Sequence, residues 1–224
     1  MQTLHLESGL LASRARSFAR DCQIQHFIEL ASNCKQLLKL NMSFPCQPTD
    51  AILEGVAGHC GHLLCLDLKD CRYVSDRTMY AVARHCQSLV ALSVGVSWCE
   101  GADITDAGIM AVARSCRKLL YIDLNDIDLT KDGASVIASS CLNLQFAHVR
   151  GTRVTAAGAT ALAQRIAWAK QASGGRVEKL PIRIHHGQTN LFLCRLPDDV
   201  PDDLLLTLAA RFPSLSIFGL ITPR

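Results

Sequence analysis

One template recurs along this chain and restricts it to a stack of small, similar units. Cys34, Cys60, Cys86, Cys116 and Cys141 each open a copy, with apolar residues following at plus three, plus six and plus eight. The sets are Leu37, Leu40, Met42; Leu63, Leu66, Leu68; Leu89, Leu92, Val94; Leu119, Ile122, Leu124; and Leu144, Ala147, Val149. Plus six and plus eight share one face of an extended chain, so each copy predicts a short strand with one buried face. A second signal precedes Cys60, Cys86, Cys116 and Cys141: a small or apolar residue, then Ser or Thr, then a helical pattern ending in small and apolar residues. Thr49, Ser75, Thr105 and Thr130 are the expected helix N-caps. Asp50, Asp76 and Asp106 suit the positive end of the helix dipole. Aromatic residues are only 5% of the chain and hydrophobic residues 49%. The core is therefore expected to be layers of Leu, Ala, Val, Ile and Cys.

The template also reaches both ends. Leu4 and Leu6 fit the plus-six and plus-eight sites of an incomplete first copy. Phe212 replaces the cysteine of a terminal copy whose strand spacing is Leu215, Phe218 and Leu220. Between them, a helix after Val154 leads into a longer, degraded copy with Gly174 in the cysteine slot and a strand expected at Val177, Leu180 and Ile182. Successive starts are separated by 26, 26, 30, 25, 33 and 38 residues, close to a leucine-rich repeat of roughly 20–29 residues except where loops intrude. The expectation is one α/β domain over 1–224, a leucine-rich-repeat solenoid of about seven to eight coils. A curved parallel sheet would form its concave face and helices its convex face. Its parts are a partial repeat and helix over 1–33, regular repeats over 34–163, an irregular repeat over 164–200 and a terminal repeat over 201–224.

The pattern C-x-x-L-x-x-L-x-L-x-x-C-x-x-V-S-D, from Cys60 through Leu63, Leu66, Leu68, Cys71 and Val74 to Asp76, resembles the cysteine-containing leucine-rich repeats of F-box/LRR ubiquitin-ligase substrate receptors and of the related mitotic-exit antagonists. The resemblance implies a non-catalytic protein-interaction module with a substrate-recognition or adaptor role in ubiquitin-dependent degradation. Partners would then include ubiquitin-ligase components. The family's F-box is not expected within these residues, since a partial repeat and a helix are expected to take up 1–36. A longer form or another subunit would have to supply the link.

Template arithmetic places the expected site. Alternation puts plus seven and plus nine on the concave face, with plus five and plus ten at its margins. The candidates are Asp67, Lys69, Asp70, Tyr121, Asp123, Asn125, Asp126, Phe146, His148, Arg150, Lys179 and Arg183. The four aspartates make the middle of the face acidic, and His148, Arg150, Lys179 and Arg183 make the later part basic. Tyr121 and Phe146, expected to be exposed, would be the anchors, because aromatics and Arg dominate interface energetics. A sheet face that is merely solvated would also be polar.

Other chemistry is weakly supported. Cys60, Cys65 and Cys71 beside His59 and His62 have the ligand types zinc prefers. However, Cys60 and Cys71 fall at core positions, and the chain has no Cys-x-x-Cys pair. Equivalent cysteines of adjacent coils come near disulfide range on strand spacing alone, although reduced thiols are expected in a cytosolic chain. His185-His186 near Cys194 invites a catalytic reading, but no motif fixes a nucleophile against a base. Gly174-Gly175 reads as a helix stop rather than a phosphate cradle. The expectation is no catalytic residue, no metal and no cofactor. A formal charge of +3 is too weak to argue for nucleic acid, and no run of about 18 apolar residues argues for a membrane span. The expected location is cytoplasmic or nuclear. The Arg/Ser-rich stretch Ser8 to Arg20 supports the alternative of a structural or assembly subunit of a large, mitochondrial complex.

Overall fold

The computed structural model describes residues 28–29, 31–43, 48–96, 103–149 and 152–172, together with the backbone of 3–5, 191–192 and 217–218. Strands and helices alternate: β1 (Thr3–His5), β2 (Lys39–Asn41), α1 (Asp50–His59), β3 (Cys65–Asp67), α2 (Asp76–His85), β4 (Ala91–Ser93), α3 (Asp106–Ser115), β5 (Tyr121–Asp123), α4 (Lys131–Ser140), β6 (Phe146–His148), α5 (Ala156–Ala172), β7 (Leu191–Phe192) and β8 (Ile217–Phe218). The strands pair in chain order in one parallel sheet. The architecture is α/β with a repeating strand–helix unit.

Three residue rows cross the five central strands. Lys39, Cys65, Ala91, Tyr121 and Phe146 form the first; Leu40, Leu66, Leu92, Ile122 and Ala147 the second; Asn41, Asp67, Ser93, Asp123 and His148 the third. The middle row is buried with the helices in one continuous apolar core. The first and third rows therefore occupy the opposite face, as side-chain alternation requires. Each of α1 to α4 buries a stripe such as Ile52, Leu53, Val56 and Ala57 or Ile109, Val112 and Ala113. That spacing lays one helical face on the sheet.

Helix starts follow the sequence reading with one difference. Ser75, Thr105 and Thr130 accept hydrogen bonds from the backbone N–H two residues on, at 3.2 Å each. Thr49 holds the N-cap position without a side-chain cap bond, and its buried Oγ1 has no partner.

The aspartate at the head of one helix also reaches the next coil. Asp50 accepts from the Ser75 N–H and hydroxyl at 2.9 and 2.6 Å, Asp76 from those of Thr105 at 2.8 and 2.7 Å, and Asp106 from those of Thr130 at 2.8 and 2.5 Å. Each carboxylate thus satisfies an N-cap backbone donor and fixes the stacking of neighbouring coils. Gly108 and Gly133 make room for it: a Cβ at either position would fall on the Asp76 or Asp106 carboxylate. Lys131 stands where the next aspartate would be, so the ladder ends there. Isolated parallel bridges Ser75 to Asp103, Thr105 to Asp128 and Thr130 to Arg153 add a second line of stacking at the helix starts.

The later part departs from expectation. Helix α5 runs to Ala172 and so occupies the start of the span read as an irregular repeat. The strand that follows β6 is Leu191–Phe192, while 177–182 lie outside the described residues. Ile217, and not Phe218, pairs in the core row through Leu191 and Ala147. A register shift of one residue exchanges the two faces of a strand, and a lengthened copy with no cysteine marker does not fix that register. Among the described residues no helix is long and apolar enough to cross a membrane.

Candidate functional site

The face turned away from the helices carries the expected columns in register. Asp123 on β5 lies beside Ser93 on β4 and His148 on β6, and Tyr121 lies between Ala91 and Phe146. Lys69, Asn125, Asp70 and Asp126 follow the strand ends. Asp70 and Asp126 occupy the same template position with φ of 60° and 56°. This left-handed region is one that Asp tolerates better than most residues, and the Asp70 N–H donates to the Gly95 carbonyl at 3.0 Å.

The row also has a structural role. Asn41, Asp67 and Asp123 each accept a hydrogen bond through Oδ1 from the backbone N–H two residues on, at 3.0, 3.1 and 3.1 Å. This Asx turn bends the chain out of the strand. At β4 the motif gives way to Ser93 followed by Gly95, where a Cβ would meet the Asp123 carboxylate and the Asn125 backbone.

Tyr121 and Phe146 do not have the expected exposure: each is only 5% exposed. They form a small apolar cluster with Cys65 and Ala91. The small side chains on β3 and β4 leave room for the larger rings on β5 and β6. The Tyr121 ring centroid is 6.5 Å from that of Phe146 and 5.4 Å, edge-on, from that of His148. Such ring pairs stabilise beyond the area they bury. Asp70, Asp123 and His148 are buried as well. Of the expected site residues on this face, Asp126 is exposed and Asp67, Lys69 and Asn125 are half-buried, as are Lys39 and Asn41 on β2. Arg150, Lys179 and Arg183 lie outside the described residues, so the acidic part of the expected gradient is present and of the basic part only His148 is described.

Electrostatics match this burial. Desolvation raises the Asp123 carboxyl above its ordinary value; the Asn125 N–H and Lys69 oppose it, and Asp70 and Asp126 add to it. Asp67 is likewise raised by burial, against the Lys69 N–H and the Ser93 hydroxyl. Burial, with Asp123 and Asp67 nearby, pushes the Tyr121 hydroxyl up. His148 Nδ1 lies 3.9 Å from Asp123 Oδ2.

The template cysteines are engaged inside the stack. The Cys60, Cys86 and Cys116 thiols donate to the Cys34, Cys60 and Cys86 carbonyls at 3.6, 3.8 and 3.4 Å, and the Cys141 thiol donates to the Ala113 carbonyl at 3.7 Å. The Cys34, Cys60 and Cys86 carbonyls also accept from the Leu37, Leu63 and Leu89 N–H at 2.9, 3.2 and 3.1 Å, so each of these thiols adds a second donor at the end of the preceding helix. All seven described cysteines are free. Burial pushes the Cys65 thiol up to about 11 and those of Cys86, Cys116 and Cys141 up to about 12. His59 and His62 are exposed while Cys60 points inward. Among the described residues no group of three or more His, Cys, Asp or Glu side chains is placed to hold a metal ion. His185, His186 and Cys194 lie outside the described residues.

One feature escaped the sequence reading. A cleft of about 400 Å³ opens at the strand starts, lined by Lys118, Leu120, Asn143, Gln145, Ala169 and Ala172 among others. Gln145 is only 4% exposed and its Oε1 has no hydrogen-bond donor. Gln145 sits one residue before β6, at a position the template leaves undefined.

Compared with known families and curated proteins, the chain matches no family model and no curated sequence.

Proposed function

We propose that this chain is a leucine-rich-repeat solenoid acting as a non-catalytic protein-interaction module, with a substrate-recognition or adaptor role in ubiquitin-dependent degradation. One observation carries the interaction reading: Asp67 at the end of β3, with Lys69, Asn125 and Asp126 just beyond β3 and β5, gathers polar and charged side chains that reach solvent at one end of a parallel sheet. Beside them Tyr121 packs its ring against those of Phe146 and His148. The Asp67 carboxylate is held in its turn by the Lys69 N–H, and a side chain fixed before binding loses little freedom on it, which favours affinity. On the described part of the face Asp67, Asp70, Asp123 and Asp126 outnumber Lys39 and Lys69, so its partner would offer a basic surface. The ubiquitin-linked role rests on the resemblance of the Cys60 to Asp76 segment to F-box/LRR receptors.

The test is reconstitution from purified parts. A Skp1-like adaptor and the chain's co-purifying partners are mixed with wild type and with a Lys69→Glu/Asp126→Lys double variant. The module reading expects partner binding, measured below the melting temperature of both proteins, to fall at least tenfold in the variant. Partner ubiquitination that depends on the chain supports the degradation role, and none in the presence of intact binding removes it.

A further inference from the structure

Four large apolar side chains are about half exposed among the described residues: Tyr73, Tyr80, Leu142 and Trp168. The last two line one groove. It runs between α4 and α5 on the helical side, away from the sheet face, with a volume of about 630 Å³. Its walls are two matching stripes, Ser135, Ala138, Ser139 and Leu142 on one side and Ala161, Gln164, Arg165 and Trp168 on the other. Each stripe advances by three or four residues, as one face of a helix does, and the small alanines let a third element approach closely.

The groove differs from the rest of the helical layer. Counting from the first helical residue, Leu142 stands where earlier copies have Gly61, Gln87 and Arg117, and Trp168, still inside the longer α5, is as far along as His62, Ser88, Lys118 and Asn143, which follow the ends of the shorter helices. The repeat therefore supplies small or polar residues at these two sites until the final pair of described helices, and large apolar ones only there. An indole 54% exposed and a leucine 48% exposed, side by side, form an apolar patch with nothing in the repeat to require it.

Arg165 supplies the charge. Its Nε donates to the Ala138 carbonyl at 2.7 Å, which holds the side chain across the groove, and its guanidinium carbon lies 5.2 Å from the Trp168 ring centroid. Its terminal nitrogens have no acceptor among the described residues, and no acidic side chain is among those lining the groove. A fixed cation stacked on an indole suits a carboxylate arriving with an apolar surface.

We propose that the α4–α5 groove is a second docking site that takes an acidic amphipathic helix of a protein partner. The helix would set leucine-like anchors against Leu142 and Trp168 and a carboxylate against Arg165. The stripe spacing fits the helix-in-groove mode, and Trp and Arg are the side chains that most often dominate such contacts. The inference does not depend on the sheet-face reading, because the two surfaces lie on opposite sides of the stack.

The test titrates the full chain with two synthetic helical peptides. They share a leucine stripe and differ only in carrying Glu or Lys on its flanks. The Trp168 indole signal is followed by NMR, with Trp168→Ala identifying it against the other tryptophan. The Glu peptide is expected to shift this signal and to bind at least tenfold more weakly to Trp168→Ala and to Leu142→Ser. Both are exposed sites whose change should leave the melt intact. Arg165→Gln should reduce the preference for the Glu over the Lys peptide to within about threefold, and Lys69→Glu/Asp126→Lys should leave binding unchanged. Equal binding of both peptides to wild type, no binding of either, or undiminished binding to Trp168→Ala would overturn the proposal. So would a concentration-dependent dimer that Trp168→Ala abolishes, since a second copy would then be the occupant.

Discussion

The Asp76 carboxylate, at the head of one helix, accepts both the backbone N–H and the hydroxyl of Thr105, the N-cap of the next helix, at 2.8 and 2.7 Å. Two coils are thereby joined through a donor that N-capping alone leaves over. Stacking in this chain is polar at its helix starts and apolar in its centre.

Asp76→Ala should lower stability by about 1–3 kcal/mol, because charge-assisted hydrogen bonds of this kind contribute about that much. Gly108→Ala should also destabilise, since its Cβ would take the space of the same carboxylate. The two changes share one contact, so the cost of Gly108→Ala should shrink in the Asp76→Ala background. Urea melts of the four proteins measure this coupling; strictly additive losses would show that the glycine serves another purpose.

Two aspartates should respond to pH with opposite sign. Burial raises the folded-state pKa of Asp123, so the folded chain holds a proton that the unfolded chain releases. Its ionisation therefore costs stability, increasingly so as pH rises from the ordinary carboxylate value through the folded one. Asp50 is the reverse: burial works to raise it, but bonds from Ser75 and Thr78 outweigh burial and hold it low. Its contribution is present above the ordinary value and lost as pH falls through the folded one. Asp123→Asn should then be more stable than wild type at pH 7, with an advantage that shrinks toward pH 4. Asp50→Asn should be less stable at pH 7, with a deficit that shrinks in the same direction. Melting temperatures across that range supply both curves.

The cysteine ladder predicts slow chemistry. With thiols buried and pushed up to about 12, Cys86, Cys116 and Cys141 should resist iodoacetamide at pH 8 until the chain unfolds, whereas half-buried Cys34 should react earlier. Mass spectrometry of labelled peptides along a urea series reads this order. Cys86→Ala should cost about 1–2 kcal/mol, the effect of a small void in a packed slot. Leu66→Asp should cost more than about 3 kcal/mol, since it buries an unpaired carboxylate in the core row.

Gln145 offers a gain. Its buried Oε1 has no donor, so Gln145→Met, of similar shape, should raise stability by about 1 kcal/mol. A melt lower than wild type would mean that the amide is satisfied in solution.

Much of this was legible in the sequence because a repeat states the same information several times. Five cysteines in phase with Leu40, Leu66, Leu92, Ile122 and Ala147 set the strand register, and the structure pairs those residues in one row. Burial of the opposite face was not legible. Whether Tyr121 projects or packs depends on the size of Cys65 and Ala91 on neighbouring strands, and a template that aligns positions says nothing of how side chains of unequal volume fit together. The Asp76 to Thr105 clamp was half visible: the aspartate's fit to its own helix could be read, its reach to the next coil could not. The last register failed where α5 outgrew its predecessors.

The most direct test of the account compares three versions of the full chain as bait: wild type, Lys69→Glu/Asp126→Lys on the sheet face, and Arg114→Ala on the outer helix. Partners retained by each are quantified by mass spectrometry and their affinities remeasured with purified components. The interaction reading predicts that the sheet-face variant, assayed below its own melting temperature, loses at least tenfold in affinity for a defined partner, while Arg114→Ala binds as wild type does. The same affinity for all three proteins would contradict it.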